Sequence, residues 1–95
     1  MQTTKSFIRE SLYYGKNKGY SHMLMVCNTF DWEDYPVYVN AEENLEEYIW
    51  RYQNPNQMSK IMEIYNYNIN LEYQLNEQRA WHEKVDIIKK TRKFL

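Results

Sequence analysis

Glycine and proline are scarce, two of each in 95 residues. A chain so poor in both has no composition for long flexible linkers, and one compact domain over residues 1–95 is expected. Cysteine occurs once, at Cys27, which excludes an internal disulfide and points to a reducing compartment. Histidine occurs twice, at His22 and His82, and with one cysteine this makes no recognisable zinc spacing. Long apolar runs are missing. The longest, Met23 to Cys27, is far too short to span a bilayer, and the first fifteen residues have no signal-type apolar stretch. The expectation is a cytoplasmic protein with no membrane partner. A phosphate-cradling glycine loop, GxSxG and HExxH are also missing. No cofactor, metal or catalytic residue is therefore assigned.

Excess positive charge is lacking as well. The formal net charge is −1, which disfavours binding driven by phosphate neutralisation. The charge is unevenly placed. Asp31 to Glu47 holds seven acids (Asp31, Glu33, Asp34, Glu42, Glu43, Glu46 and Glu47) and no base. Lys84 to Leu95 holds five bases, Lys84, Lys89, Lys90, Arg92 and Lys93, against Asp86. What the chain has in abundance is aromatic surface: ten tyrosines and three tryptophans. Such side chains join a large contact area to a polar tip, which suits interfaces as well as cores.

The pattern predicts an α+β domain ordered helix, β-hairpin, then three helices. Thr3 or Thr4 caps a first helix through about Tyr14, with Phe7, Ile8, Ser11 and Leu12 on one face. Gly15 stops it and KNKG follows as a loop. Residues 20–30 alternate with period two. His22, Leu24, Val26, Asn28 and Phe30 share one face, and Met23, Met25, Cys27 and Thr29 the other. Both faces are apolar, so this strand is expected to be covered on both sides or paired with another subunit. DWEDYP is the turn and PVYVN the return, with Pro36 at its start. Asn40 and Glu43 resemble a capping box opening the helix AEENLEEYIWRYQN, whose buried stripe is Leu45, Tyr48, Ile49 and Tyr52. NPN ends it. Met58, Ile61, Met62 and Tyr65 fit the i, i+3, i+4, i+7 template of a short helix; a third strand near 61–67 is the alternative. Asn70 caps a long last helix carrying Leu71, Leu75, Gln78, Trp81 or His82, Val85 and Ile88. A two-stranded sheet has two open edges, so a homo-oligomer is expected.

Residues 21–39 hold the densest chemistry. Cys27 and His22 suggest a nucleophile and its base, but five strand positions separate them by roughly 16 Å and put them on opposite faces. A buried structural cysteine is the better reading. Asp31, Glu33 and Asp34 resemble a hard-cation set, yet their spacing is not that of a calcium loop and no glycine permits the wrap. A solvated turn fits better. Trp32 lies between acids at a turn, where burial in its own core is difficult. It is the first candidate contact residue, followed by Asp31, Glu33, Asp34, Tyr35, Tyr38, His22 and Thr29, and then by Glu42, Glu43, Glu46 and Glu47 as an acidic surface able to fill a basic groove.

The same stretch resembles a group of small, mostly uncharacterised proteins encoded by bacteriophages. The matching words are Gly19, His22 and Met23; Val26, Cys27, Asn28, Thr29, Phe30 and Asp31; Asp34, Tyr35, Pro36, Val37, Tyr38 and Val39; and Met58, Met62, Glu63 and Tyr65. The match spans about residues 13 to 80. Asn28 departs from it, since the group's pattern has aspartate there. The resemblance implies a phage origin and supplies no chemistry. Three functions follow as expectations. The first is stoichiometric binding to a host or defence protein. The second is an oligomer that sequesters a nucleotide signal, using Trp32, Thr29 and His22. The third is a small nucleotide hydrolase using His22, Asp31 and Asp34.

Overall fold

The computed structural model describes residues 4–81. The elements are α1 (Lys5–Lys18), β1 (His22–Asn28), β2 (Glu33–Val39), α2 (Leu45–Tyr52), a 3₁₀ turn (Pro55–Gln57), β3 (Ser59–Asn66) and α3 (Leu71–Trp81). The α+β class holds, and the third strand is present. The sheet is antiparallel in the order β2-β1-β3.

β1 is central, and its two apolar faces are both used. Met23 and Met25 pack with Ile8 and Leu12 of α1, Tyr65 of β3, and Leu71 and Leu75 of α3. Leu24 and Val26 pack with Val39, Ile64 and Ile49 of α2. The domain is thus a three-layer sandwich: α1 and α3, then the sheet, then α2.

Residues 59–66 are the main correction. They form a strand where the spacing favoured a helix. A β-bulge interrupts the strand. Leu24 pairs with Ile64 and Val26 with Ile61, so the register shifts by one residue between Met25 and Val26. The extra residue puts Ile61 and Ile64 on one face although three positions separate them.

Gly15 is the second correction. It does not end α1, which continues to Lys18 and is capped by Gly19 in the left-handed conformation (φ 81°). Gly15 is buried mid-helix, where a Cβ would lie 2.2 Å from Tyr67 Oη and 2.6 Å from the Tyr38 ring. Both hydroxyls donate to carbonyl oxygens of α1: Tyr38 to Ser11 (2.8 Å) and Tyr67 to Leu12 (2.7 Å). The glycine is there for close approach. At the helix start Thr4 accepts from the Phe7 N–H (3.1 Å), as expected of a cap.

Two boundaries also move. α2 begins at Leu45, capped by Asn44, whose side chain accepts from the Glu46 N–H. Asn40 and Glu43 close a turn just before it: the Asn40 N–H donates to Glu43 Oε1 (3.0 Å) and the Glu43 N–H to the Asn40 carbonyl (3.0 Å). Pro36 sits in mid-strand, not at the start of β2, and only an edge strand admits it there.

Asparagine does the work that glycine and proline commonly do in turns. Asn28 accepts from the Phe30 N–H, Asn54 from Asn56, Asn66 from Asn68 and Asn70 from Tyr73. The last of these is the expected cap of α3. The expectations for His82, Val85, Ile88 and the basic run from Lys84 lie outside the described residues.

The outer edge of β3 is closed by side chains. Gln78 accepts from the Ile64 N–H (3.2 Å) and donates to the Ile64 carbonyl (2.7 Å). Gln74 does the same for Asn66, at 2.8 Å in each direction. Both glutamines are buried. The geometry is natural. Four helical residues advance about 6 Å, and two strand residues advance about 7 Å, so an i, i+4 pair of amides matches alternate edge peptides. Gln53 accepts from the Ile61 N–H (2.8 Å), and Asn54 bridges Ser59.

Candidate binding surface at the hairpin tip

The residues singled out from sequence divide into separate groups. Thr29, Asp31, Trp32, Glu33 and Asp34 lie at or beside the β1–β2 turn. His22 lies at the other end of β1, roughly 20 Å away along the strand. Glu42 and Glu43 precede α2, while Glu46 and Glu47 are exposed on its first turn.

The tip is tightly wound without a glycine. Asn28 holds both ends: its side chain accepts from the Phe30 N–H (2.9 Å), and its carbonyl from the Trp32 N–H (2.7 Å). Asp31 accepts from the Glu33 N–H (3.0 Å). An amide oxygen performs this role as well as a carboxylate, so the absence of an acid at Asn28 leaves the turn intact. The winding forces Trp32 to φ 61°. Among the described residues the other non-glycine with positive φ is Met58 (54°). The two sit at one end of the sheet, because the Thr29 N–H donates to the Met58 carbonyl (2.8 Å). Left-handed backbone costs a bulky L-residue about 1–2 kcal/mol.

Both strained residues are large, apolar and exposed: Trp32 is 62% and Met58 51% accessible. Phe30, two residues before Trp32 in the same turn, is 77% accessible. Sequence reasoning placed Phe30 on a strand face and Met58 on a helix stripe, and so passed over both. The Asn28 and Asp31 turn chemistry on either side of Phe30 was the signal available. Trp50, 76% exposed on α2, was also passed over. It lies on the face of that helix opposite the inward stripe of Leu45, Tyr48, Ile49 and Tyr52.

The other candidates have structural neighbours. Tyr35 is partly exposed on the α2 side, and burial pushes its hydroxyl pKa up, with Tyr52 nearby adding to the shift. Tyr38 stacks on Tyr20 (4.9 Å between centroids) and leans on Tyr14 (5.6 Å). Glu43 accepts from the Tyr48 hydroxyl and the Asn40 N–H, which hold its carboxyl below the usual range. Cys27 is buried beside Asp34; burial first, and the Asp34 charge second, push the thiol up. The motif residues Glu63 and Tyr65 face α3 together, with the Tyr65 hydroxyl donating to Glu63 (2.7 Å). Among the described residues, no group of three His, Cys, Asp or Glu side chains is placed to hold a metal ion, and no helix is long and apolar enough to cross a membrane.

His22 carries a pH prediction. Burial lowers its pKa, and its Nδ1 lies 3.0 Å from the Ser21 hydroxyl. The folded state resists protonation more than the unfolded chain does. The stability that neutral His22 permits is present above the unfolded value near 6.5 and is lost as pH falls through the lower folded value. Urea midpoints taken from pH 7.5 to 5 should fall for the wild type and fall less for His22→Gln. Parallel profiles would show that His22 is not responsible.

Comparison with family models, with curated proteins and with solved structures gives no match.

Proposed function

We propose that the protein acts by stoichiometric, non-catalytic binding to a host or defence protein, with the hairpin tip as its contact surface. One observation carries this reading. The two non-glycine residues that the described chain holds in left-handed backbone are both exposed apolar side chains, and they share one end of the sheet. Strain that stabilises nothing inside the fold is commonly kept where a surface has work to do. The acids Asp31 and Glu33 beside Trp32 favour a partner of basic rim. The resemblance to phage-encoded proteins supplies the setting, an infected bacterial cytoplasm.

Nucleotide sequestration remains the second reading. Within one molecule His22 and Trp32 do not converge, so that reading requires residues from two subunits. A hydrolase built on His22, Asp31 and Asp34 meets the same separation.

Trp32→Asn tests the first reading. Asparagine tolerates positive φ, so the variant is expected to gain about 0.5–1 kcal/mol of stability. It should at the same time lose the partner recovered by pull-down from infected cells, as should Phe30→Ala. Recovery of the same partner by either variant would move the contact elsewhere. Release of an intact nucleotide on denaturing the purified protein would favour sequestration.

A further inference from the structure

The chain carries its sulfur in five methionines and Cys27, and all of these except Met1 lie in the described residues. Met23 and Met25 are buried beneath α1 and α3. Cys27 is buried too, and burial with the Asp34 charge keeps it in the unreactive thiol form. Met62 is partly buried. Met58 is the one exposed among them. It belongs to neither core cluster, so its side chain is not kept to fill the interior. It sits at the end of the sheet that carries the tip. Its carbonyl accepts from the Thr29 N–H, and Thr29 directly precedes Phe30. Its left-handed backbone suits glycine or asparagine better, yet a thioether stands there.

We propose that Met58 is a site of reversible oxidation by peroxides, and that its sulfoxide switches off the hairpin-tip contact. The switch rests on the tip reading given above. The thioether sulfur attacks one oxygen of a hydroperoxide. An S–O bond forms as the O–O bond breaks, and the sulfur gives up two electrons. The other oxygen leaves with the hydroperoxide proton, as water or an alcohol. The product is polar and chiral, and methionine sulfoxide reductases return it to the thioether. In the core such a change would disrupt packing. At Met58 it leaves the fold intact, because neither cluster includes that side chain. What changes is the outer surface. An apolar contact at the tip end becomes a strong acceptor that must be desolvated before a partner can close on it.

Dilute hydrogen peroxide on the whole chain tests this. In timed peptide mapping by mass spectrometry, Met58 should take up oxygen about tenfold faster than Met23 and Met25 in the folded protein, and at a similar rate in urea. Circular dichroism should not change when Met58 alone is oxidised. Pull-downs from infected cells supply the second readout. The protein that untreated wild type captures and Trp32→Asn loses should be recovered about tenfold less by the sulfoxide form. Methionine sulfoxide reductases of both stereospecificities should restore it. Met58→Leu, apolar and without sulfur, should capture it before and after peroxide alike. Met58 reacting no faster than the buried methionines overturns the inference. So does full recovery by the sulfoxide form, or loss of capture by peroxide-treated Met58→Leu, which would place the sensitive atom elsewhere. Failure of the tip reading looks different. Untreated Trp32→Asn and Phe30→Ala would then capture the partner as the wild type does, and the switch would fall with that reading.

Discussion

Gln78→Leu is expected to lower the free energy of unfolding by about 3 kcal/mol. The leucine fits the space but not the chemistry. It leaves the Ile64 N–H and carbonyl, now bonded at 3.2 and 2.7 Å, unpaired on a buried strand edge. Each unpaired buried group costs about 2 kcal/mol. The added apolar burial offsets about 1 kcal/mol of that sum. Against the 5–15 kcal/mol typical of a domain, this is a large fraction. Urea unfolding followed by circular dichroism measures it. Gln78→Glu separates hydrogen bonding from shape. Its carboxylate still accepts from the Ile64 N–H but sets an acceptor against the Ile64 carbonyl, so it should also destabilise despite its near-identical volume. A loss below about 1 kcal/mol in both variants would show that the edge does not depend on this amide.

Gly15→Ala is expected to destabilise by about 2 kcal/mol, against the helix propensity of the substitution. In an exposed helix interior alanine gains about 1 kcal/mol over glycine. Here the new methyl would meet Tyr67 Oη at 2.2 Å and the Tyr38 ring at 2.6 Å. Either α1 shifts outward or two tyrosines leave their bonds to Ser11 and Leu12. Overpacking of this kind costs about 1–3 kcal/mol before those bonds are counted. Removing the nearest atom tests the cause. Tyr67→Phe should cost less in the Gly15→Ala background than in the wild type, with a coupling of about 1 kcal/mol. Additive losses would mean that the helix relaxes away from the contact. A more stable Gly15→Ala would mean that the close approach is not what holds the position.

The sequence made some of this legible and hid the rest for definite reasons. β1 was readable because both faces of a central strand are apolar, and alternation assigned Leu24 and Val26 to one side and Met23 and Met25 to the other. The Asn70 cap and the Leu71, Leu75 and Gln78 stripe of α3 were readable because caps and helical spacing are local. The character of β3 was hidden because Met58, Ile61, Met62 and Tyr65 match a helical template by spacing alone, although in the strand Ile61 packs on the α2 side and Tyr65 on the α1 and α3 side. Gly15 was misread because stop signals and close approaches use the same residue, and only the positions of Tyr38 and Tyr67 tell them apart. Gln74 looks like a surface residue in the sequence; its burial, and the bonds that Gln78 makes from its place on the stripe, depend on a strand edge contributed by residues 59–66. At the tip, Trp32 was found because a tryptophan between acids has nowhere inside to go. Its neighbours Phe30 and Met58 came into view only with the backbone angles.

The placement of β1 has a consequence for how the molecule opens. Its residues are paired with strands on both sides and covered by helices on both faces. The strand therefore has no route to water through fraying of α2, of the tip or of an edge. Amide deuterons on Met23 to Val26 should exchange only when the whole domain comes apart, while those of the turn and of the outer side of β2 leave through small openings. The slowest-exchanging protons would then serve as an internal clock for global unfolding, readable in the native protein without denaturant.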